Sequence, residues 1–169
     1  NIRNIAAYRF LTLDDVDAVA VRVKNLCESL ALKGTVLVSP EGINIFLAGD
    51  ASAIDGFLAE LQTDTRFAGL SVKFSQSAFV PFKRLRVKRK KEIITYRDAS
   101  LRPEQGRAPG VTPETLARWL ETGKDDAGRE VVMLDTRNID EVVHGSFKDA
   151  LVFPINRFTD LPKAVDLLK

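Results

Sequence analysis

The strongest constraint on this chain is the order in which two hydrophobic periodicities alternate along its first half. Strand-like runs cover residues 2–10, 35–38, 43–48 and 70–75. Apolar residues recur at helical spacing over 14–32 and 52–62. This βαββαβ order predicts a ferredoxin-like domain, in which two helices pack on one face of an antiparallel sheet. Because that fold hosts many activities, the order alone predicts no function.

Turn and cap residues separate these elements. Thr12 or Asp14 is expected to cap the first helix, and Gly34 is expected to end it. The sequence of 39–42, Ser-Pro-Glu-Gly, predicts a turn between two strands. Residues 41–44 allow two interpretations. They form either a structural turn, with a positive φ at glycine and an asparagine side-chain hydrogen bond, or a loop that meets substrate.

The chain contains one cysteine and one histidine, so neither an internal disulfide nor a Cys/His zinc site is expected. Cys27 falls in the apolar stripe of the first helix, and we expect a buried, unreactive thiol, because reactivity requires a lowered pKa. His144 is expected at the surface or in a loop, since no partner for a general base is evident. No metal site is predicted.

The segment 82–92, here called the basic strip, holds seven Lys or Arg residues and one Glu, although the whole chain carries only +2. As a strand it would place Leu85, Val87 and Ile93 on one face and cations on the other. A charged edge strand that prevents aggregation is one interpretation. The density of cations on one face favours binding to a polyanion. The predicted RNA-binding residues are Lys83, Arg84, Arg86, Lys88 and Lys90.

Three aromatic residues near the basic strip, Phe79, Phe82 and Tyr96, are candidates either for stacking on bases or for the core. Further along, 101–110 is rich in proline, glycine and charge and has no periodicity, which is typical of a linker. We therefore predict a ferredoxin-like domain at 1–98, a linker at 99–110 and a second domain at 111–169.

The second domain is expected to begin with a helix capped by Thr112 and carrying Pro113 at its first position. The residues of that helix expected to be buried are Leu116, Trp119 and Leu120. The apolar run 131–134 predicts a fully buried parallel strand that leads into Asp135-Thr136-Arg137.

The pattern Asp135-x-Arg137-x-x-x-Glu141-x-x-x-Gly145-x-Phe147-x-x-Ala150 resembles the first signature of rhodanese domains. Together with the ordered segments 34–35, 41–44, 81–84, 92–93 and 112–114, it resembles the tRNA uridine 5-hydroxylase family over nearly the whole chain. Two positions depart from the family pattern. Ile45-Phe46 stands where Gly-Thr is common, and Asp149 replaces a glycine.

This resemblance implies an α/β chain in which the ferredoxin-like domain precedes the N-terminal part of a rhodanese-like domain. It implies oxygen-dependent 5-hydroxylation of the wobble uridine, position 34 of tRNA, with molecular oxygen as co-substrate. Our first hypothesis is that the ferredoxin-like domain and its basic strip hold the anticodon arm of that tRNA. The family's essential cysteine is expected downstream of Lys169, so no catalytic residue is assigned here. Asp135, Arg137 and Glu141 are expected to form a supporting ion-pair network.

The chain begins at Asn1 and its last residues continue a helical pattern, so we expect a fragment of a longer protein. Two alternatives to the hydroxylase stay open, because all depend on residues outside this sequence. One is a rhodanese-type sulfurtransferase, and the other is a non-catalytic RNA-binding or regulatory module. No apolar run has the roughly 18 residues of a membrane span, and no signal peptide is evident, so a cytoplasmic location is expected.

Overall fold

The computed structural model describes residues 2–93 and 108–166. The chain divides into two compact units, with the first described range in one unit and the second in the other. The predicted linker lies mostly outside the described residues, so the domain boundaries stay a prediction. Within the described residues, no helix is both long and apolar enough to cross a bilayer.

The first unit contains one five-stranded sheet and two helices. Its elements are β1 (Ile2–Phe10), α1 (Val16–Ser29), β2 (Lys33–Ser39), β3 (Gly42–Asp50), α2 (Ala51–Gln62), β4 (Ser71–Ser77) and β5 (Leu85–Arg89). The strand order is β4-β1-β3-β2-β5. The first four strands pair antiparallel, which confirms the ferredoxin-like prediction. The basic strip adds β5 at the edge, parallel to β2.

The core of the first unit lies between the two helices and one face of the sheet. Alternate residues of the central strands face the helices, and α1 and α2 contribute their apolar stripes, as the helical spacing predicts. The fully buried side chains include Val23, Cys27, Val36, Val38, Ile43, Ile45, Leu47, Ile54, Phe57 and Leu61. The opposite face of the sheet, here called the open face, carries the other alternate residues.

The predicted signals around the first helix are partly wrong. Asp15 holds the cap position, and its carboxylate pairs with Arg66 instead of capping the helix. Gly34 does not end the helix but lies within β2, and Ala31 makes the turn with a φ of 52°. Gly34 is needed for a tertiary reason, because a Cβ there would lie 2.0 Å from the Phe46 carbonyl oxygen.

The second unit is a smaller α/β arrangement. Its elements are α3 (Pro113–Thr122), β6 (Leu134–Asp135), α4 (Ile139–Val142), β7 (Leu151–Val152) and α5 (Leu161–Asp166). The strands β6 and β7 pair in parallel, which is consistent with the front of a rhodanese-like domain. The predicted cap of α3 is confirmed, because Thr112 Oγ1 accepts a hydrogen bond of 3.2 Å from the Thr115 N–H.

Two burial predictions for the second unit are wrong. The run 131–134 is not a fully buried strand, since β6 begins only at Leu134 and Val132 is 60% exposed. In α3, Leu116 and Trp119 are half-buried and Leu120 is exposed. Among the described residues, β6 pairs with one strand, β7. Residues next to β6 are therefore more accessible than those of a longer parallel sheet, which is covered on both faces.

Candidate functional site

The strand β5 separates its side chains onto two faces, as predicted. Leu85 and Val87 are half-buried and pack against the core. Hydrogen bonds to β2 continue past both ends of the strand, from the Gly34 N–H to the Arg84 carbonyl and from the Lys90 N–H to the Val38 carbonyl. The ladder therefore holds the following exposed cations on the open face: Arg84, Arg86, Lys88 and Lys90. Ile93 lies beyond the strand.

The cations of the open face lack the ion pairs that two arginines elsewhere in the first unit form. Arg89, on the opposite face of β5, pairs with Asp17 of α1. Arg22 pairs with Asp64, at 3.4 Å. Within residues 2–93 and 108–166, no carboxylate oxygen lies within 4.0 Å of the charged groups of Lys83, Arg84, Arg86, Lys88 or Lys90. Their positive charge is therefore available to an external anion.

A shallow pocket lies beside these cations on the first unit. It is lined by Thr35, Pro81, Phe82, Lys83, Arg84 and Arg86. The half-buried Phe82 contributes to the pocket wall, whereas Phe79 is 72% exposed. Tyr96 lies outside the described residues. The pocket places Lys83 next to the cations of the strand.

The sequence allows residues 41–44 to be interpreted either as a structural turn or as a loop that meets substrate, and the structure gives different answers for different residues of the segment. Glu41 has a structural contact, because its Oε2 accepts a hydrogen bond of 3.1 Å from the Ile93 N–H. Gly42 has a φ of 136°, and a Cβ there would lie 2.0 Å from the Arg9 carbonyl oxygen. Asn44 lies in β3 and not in the turn, and no hydrogen bond of its side chain occurs within the described residues. Asn44 therefore presents its amide on the open face.

Sequence reasoning missed the aromatic residues of the open face. Phe46 is 47% exposed between the fully buried Ile45 and Leu47. Tyr8 is 48% exposed and packs edge-on against Phe10, with 5.8 Å between ring centroids. The sequence could have predicted the exposure of Phe46. It stands between two core residues of a strand, and alternate residues of a strand face opposite sides of the sheet.

The only cysteine of the chain is a core residue, as predicted. Cys27 is 0% exposed, and burial raises the pKa of its thiol to about 12. A thiol with such a pKa carries almost no thiolate at neutral pH, so Cys27 has no nucleophilic role.

In the second unit, the signature residues surround the end of β6. Arg137 donates to Asp135 through Nε at 2.9 Å and through Nη2 at 2.5 Å, so the predicted ion pair between them is present. Ser146 Oγ donates to the same carboxylate at 2.7 Å, and Arg137 Nη2 also donates to the Gly145 carbonyl. Glu141 does not pair with Arg137 within 4.0 Å, so the predicted three-residue network is wrong for Glu141, whose Oε2 accepts from the Asn138 N–H at the start of α4.

These contacts hold the loop rather than prepare an acid or base. The hydrogen bonds from Arg137, and then from Ser146, hold the pKa of Asp135 well below its usual range. A carboxylate with so low a pKa is a poor proton acceptor at neutral pH. Asp135, Arg137 and the exposed His144 line an open pocket of this unit with Ser146 and Phe147. The described residues contain no group of three or more potential metal ligands.

Both departures from the family pattern are accommodated. Ile45 and Phe46 lie in a regular part of β3. Asp149 adopts a φ of 59°, a left-handed conformation that glycine tolerates best and that aspartate tolerates better than most residues.

The comparisons with known proteins agree with this fold. The UPF0176 acylphosphatase like domain matches residues 2–93. A tRNA uridine(34) hydroxylase of Bordetella avium is 54% identical over 165 residues, which are 98% of this chain and 68% of that protein. The chain belongs to the tRNA uridine(34) hydroxylase family. This membership confirms the family predicted from the ordered motifs.

Other members of the tRNA uridine(34) hydroxylase family are similarly related. The hydroxylase of Cupriavidus necator is 52% identical over 164 residues, 97% of this chain and 58% of that protein. The chain thus spans between 58% and 68% of the length of these two hydroxylases. Among solved structures, the BLUF protein BlrB in its dark state matches 52% of this chain and 72% of its own, at 16% identity and a TM-score of 0.45.

Proposed function

We propose that the protein to which this chain belongs hydroxylates the wobble uridine, position 34 of tRNA, at its 5-carbon, with molecular oxygen as co-substrate. The observation that carries the proposal is identity above 50% to hydroxylases of that name over nearly the whole chain. Sulfur transfer and a non-catalytic module are not favoured by these relatives. A tRNA substrate supports a cytoplasmic location.

Within this activity, the first unit binds RNA. The open-face cations at β5 lie on one side of a strand that is anchored by Leu85 and Val87, and no carboxylate among the described residues pairs with them. Alternate residues of a strand recur about every 6.6 Å, so the row can contact several phosphates of one RNA strand. We assign the anticodon arm of tRNA to this row.

The second unit supports the chemistry without performing it. The Asp135–Arg137 pair and the Ser146 hydroxyl fix the loop after β6, and neither charged group is in a state suited to proton transfer. Cys27 of the first unit is buried, so we assign it no role in this chemistry.

Nucleoside mass spectrometry of tRNA from a deletion strain tests the proposal. Loss of 5-hydroxyuridine derivatives, restored by the full-length gene, is the expected result. The strain must lack any parallel hydroxylation pathway. Unchanged amounts of these nucleosides in that strain would refute the hydroxylase assignment.

A further inference from the structure

The open face of the first unit combines aromatic rings and cations in adjacent rows. One row across the sheet runs Lys73, Ala6, Phe46, Thr35, Arg86. The next row runs Ser71, Tyr8, Asn44, Leu37, Lys88. Each row therefore carries one exposed ring on a central strand and one cation on β5.

We propose that this open face binds unpaired RNA nucleotides, with Phe46 and Tyr8 stacking on bases while Arg86 and Lys88 contact phosphates. The proposal rests on the proposed function, and it deepens that function by assigning a single-stranded segment to the sheet rather than a duplex.

Charge and ring placement identify the partner. None of the positions in the two rows holds Asp or Glu, whereas Lys73, Arg86 and Lys88 are exposed and cationic. Within the described part of the chain, these three cations have no carboxylate partner. An apolar ring next to unneutralised cations suits a polymer that carries both flat aromatic groups and negative charge.

The spacing of the first row fits one nucleotide, and in the second row Tyr8, on β1, lies one strand further from β5 than Phe46 does. The strands β3 and β5 are separated by β2, so Phe46 and Arg86 lie on strands about 10 Å apart. A base stacked on the Phe46 ring then directs its phosphate towards the Arg86 side chain. The amide of Asn44, beside Tyr8 in the second row, can hydrogen-bond a base edge. Bases inside a duplex are already stacked and cannot reach these rings.

Binding of a labelled oligouridine to the full-length protein tests this surface. Phe46→Leu keeps an apolar side chain but removes the ring, and we expect it to weaken binding about tenfold. Its salt dependence should stay at the wild-type slope, because no phosphate contact is lost. Phe46→Tyr should retain wild-type affinity. Phe74→Leu is the matched control, since Phe74 is at least as exposed as Phe46 but pairs with the core-facing Ile5 and so lies on the opposite face of the sheet.

A blunt RNA duplex of the same length is the second probe. Unchanged oligouridine affinity in a folded Phe46→Leu protein would overturn the proposal, as would equal losses for duplex and oligouridine. Equal losses for Phe46→Leu and Phe74→Leu would also overturn it. Parallel nucleoside analysis separates the two proposals. If 5-hydroxyuridine forms while Phe46→Leu changes nothing, only the stacking surface fails. If ring-dependent binding occurs without hydroxylation, only the proposed function fails.

Discussion

The backbone N–H of Ile93 donates a hydrogen bond of 3.1 Å to Glu41 Oε2. The contact joins residues 52 positions apart and ties the end of the basic strip to the turn between β2 and β3. The position of β5 at the sheet edge therefore depends on a carboxylate as well as on the strand ladder.

Removal of the Glu41 carboxylate should reduce the stability of the first unit. We expect Glu41→Ala to lower the free energy of unfolding by about 1 kcal/mol, because the Ile93 N–H loses its acceptor. Glu41→Gln keeps an acceptor and should cost less. Urea unfolding measures both. Glu28→Ala, at an exposed pair with Lys24, is the control and should change the free energy by less than about 0.5 kcal/mol. Equal costs for Glu41→Ala and Glu28→Ala would contradict the anchoring role.

The two faces of β5 predict different effects of equal charge loss. Arg86→Gln combined with Lys88→Gln removes two cations from the open face, and the slope of log affinity for tRNA against log salt should flatten by roughly two units. Lys24→Gln combined with Arg89→Gln removes two cations from the helix side and should leave the slope unchanged. Titration of tRNA at several salt concentrations gives both slopes.

The alternative function of the basic strip, protection of the sheet edge against aggregation, predicts the opposite result. If these cations only protect the sheet edge, the open-face double variant binds tRNA like the wild type and aggregates more readily. The same outcome in the quadruple variant of Arg84, Arg86, Lys88 and Lys90 would exclude the RNA-binding role. Light scattering of the same samples detects the aggregation.

The buried thiol predicts a pH effect. Burial raises the pKa of Cys27 to about 12, whereas an unfolded chain releases the proton near pH 8.5. The neutral thiol therefore makes its full contribution to the free energy of unfolding below about pH 8.5, and this contribution is lost as pH rises towards 12. Cys27→Ala should cost about 1–2 kcal/mol at neutral pH, and that difference from wild type should shrink by about pH 10.

Thiol labelling and activity provide independent measurements. A disulfide reagent should label Cys27 only after unfolding, because the side chain is 0% exposed. A folded full-length Cys27→Ala protein should retain hydroxylation. Rapid labelling of the native protein, or loss of turnover in that variant, would show that Cys27 is not a core residue.

The low pKa of Asp135 predicts sensitivity to acid. Its folded-state pKa is lowered by hydrogen bonds from Arg137, so the carboxylate stabilises the loop at neutral pH and this stabilisation is lost as pH falls below about 4. Asp135→Ala removes the acceptor of the Arg137 amide, which donates to Asp135 Oδ1 at 3.1 Å, and should speed hydrogen exchange at that amide. Asp140→Ala, at an exposed position of α4, should not. Equal exchange rates in the two variants would refute the role of Asp135.

The sequence by itself determined the order of elements in the first unit and the two faces of its strands. These follow from local periodicity, because a strand or helix displays its apolar residues at fixed intervals whatever it packs against. The cationic side of β5 and the burial of Cys27 were predictable for the same reason, and the Thr112 cap was predictable from the preference of threonine for that position before a helix. The burial of 131–134 was not, because it depends on which strands flank β6.

Only the tertiary structure decided which strands are neighbours and which side chains share a face across them. It paired β5 with β2, placed Gly34 against the Phe46 carbonyl, and brought Phe46 into one row with Arg86. Periodicity cannot give these relationships, because they join residues that are distant in sequence. The register of paired strands sets them, and that register follows from burying one face of the whole sheet.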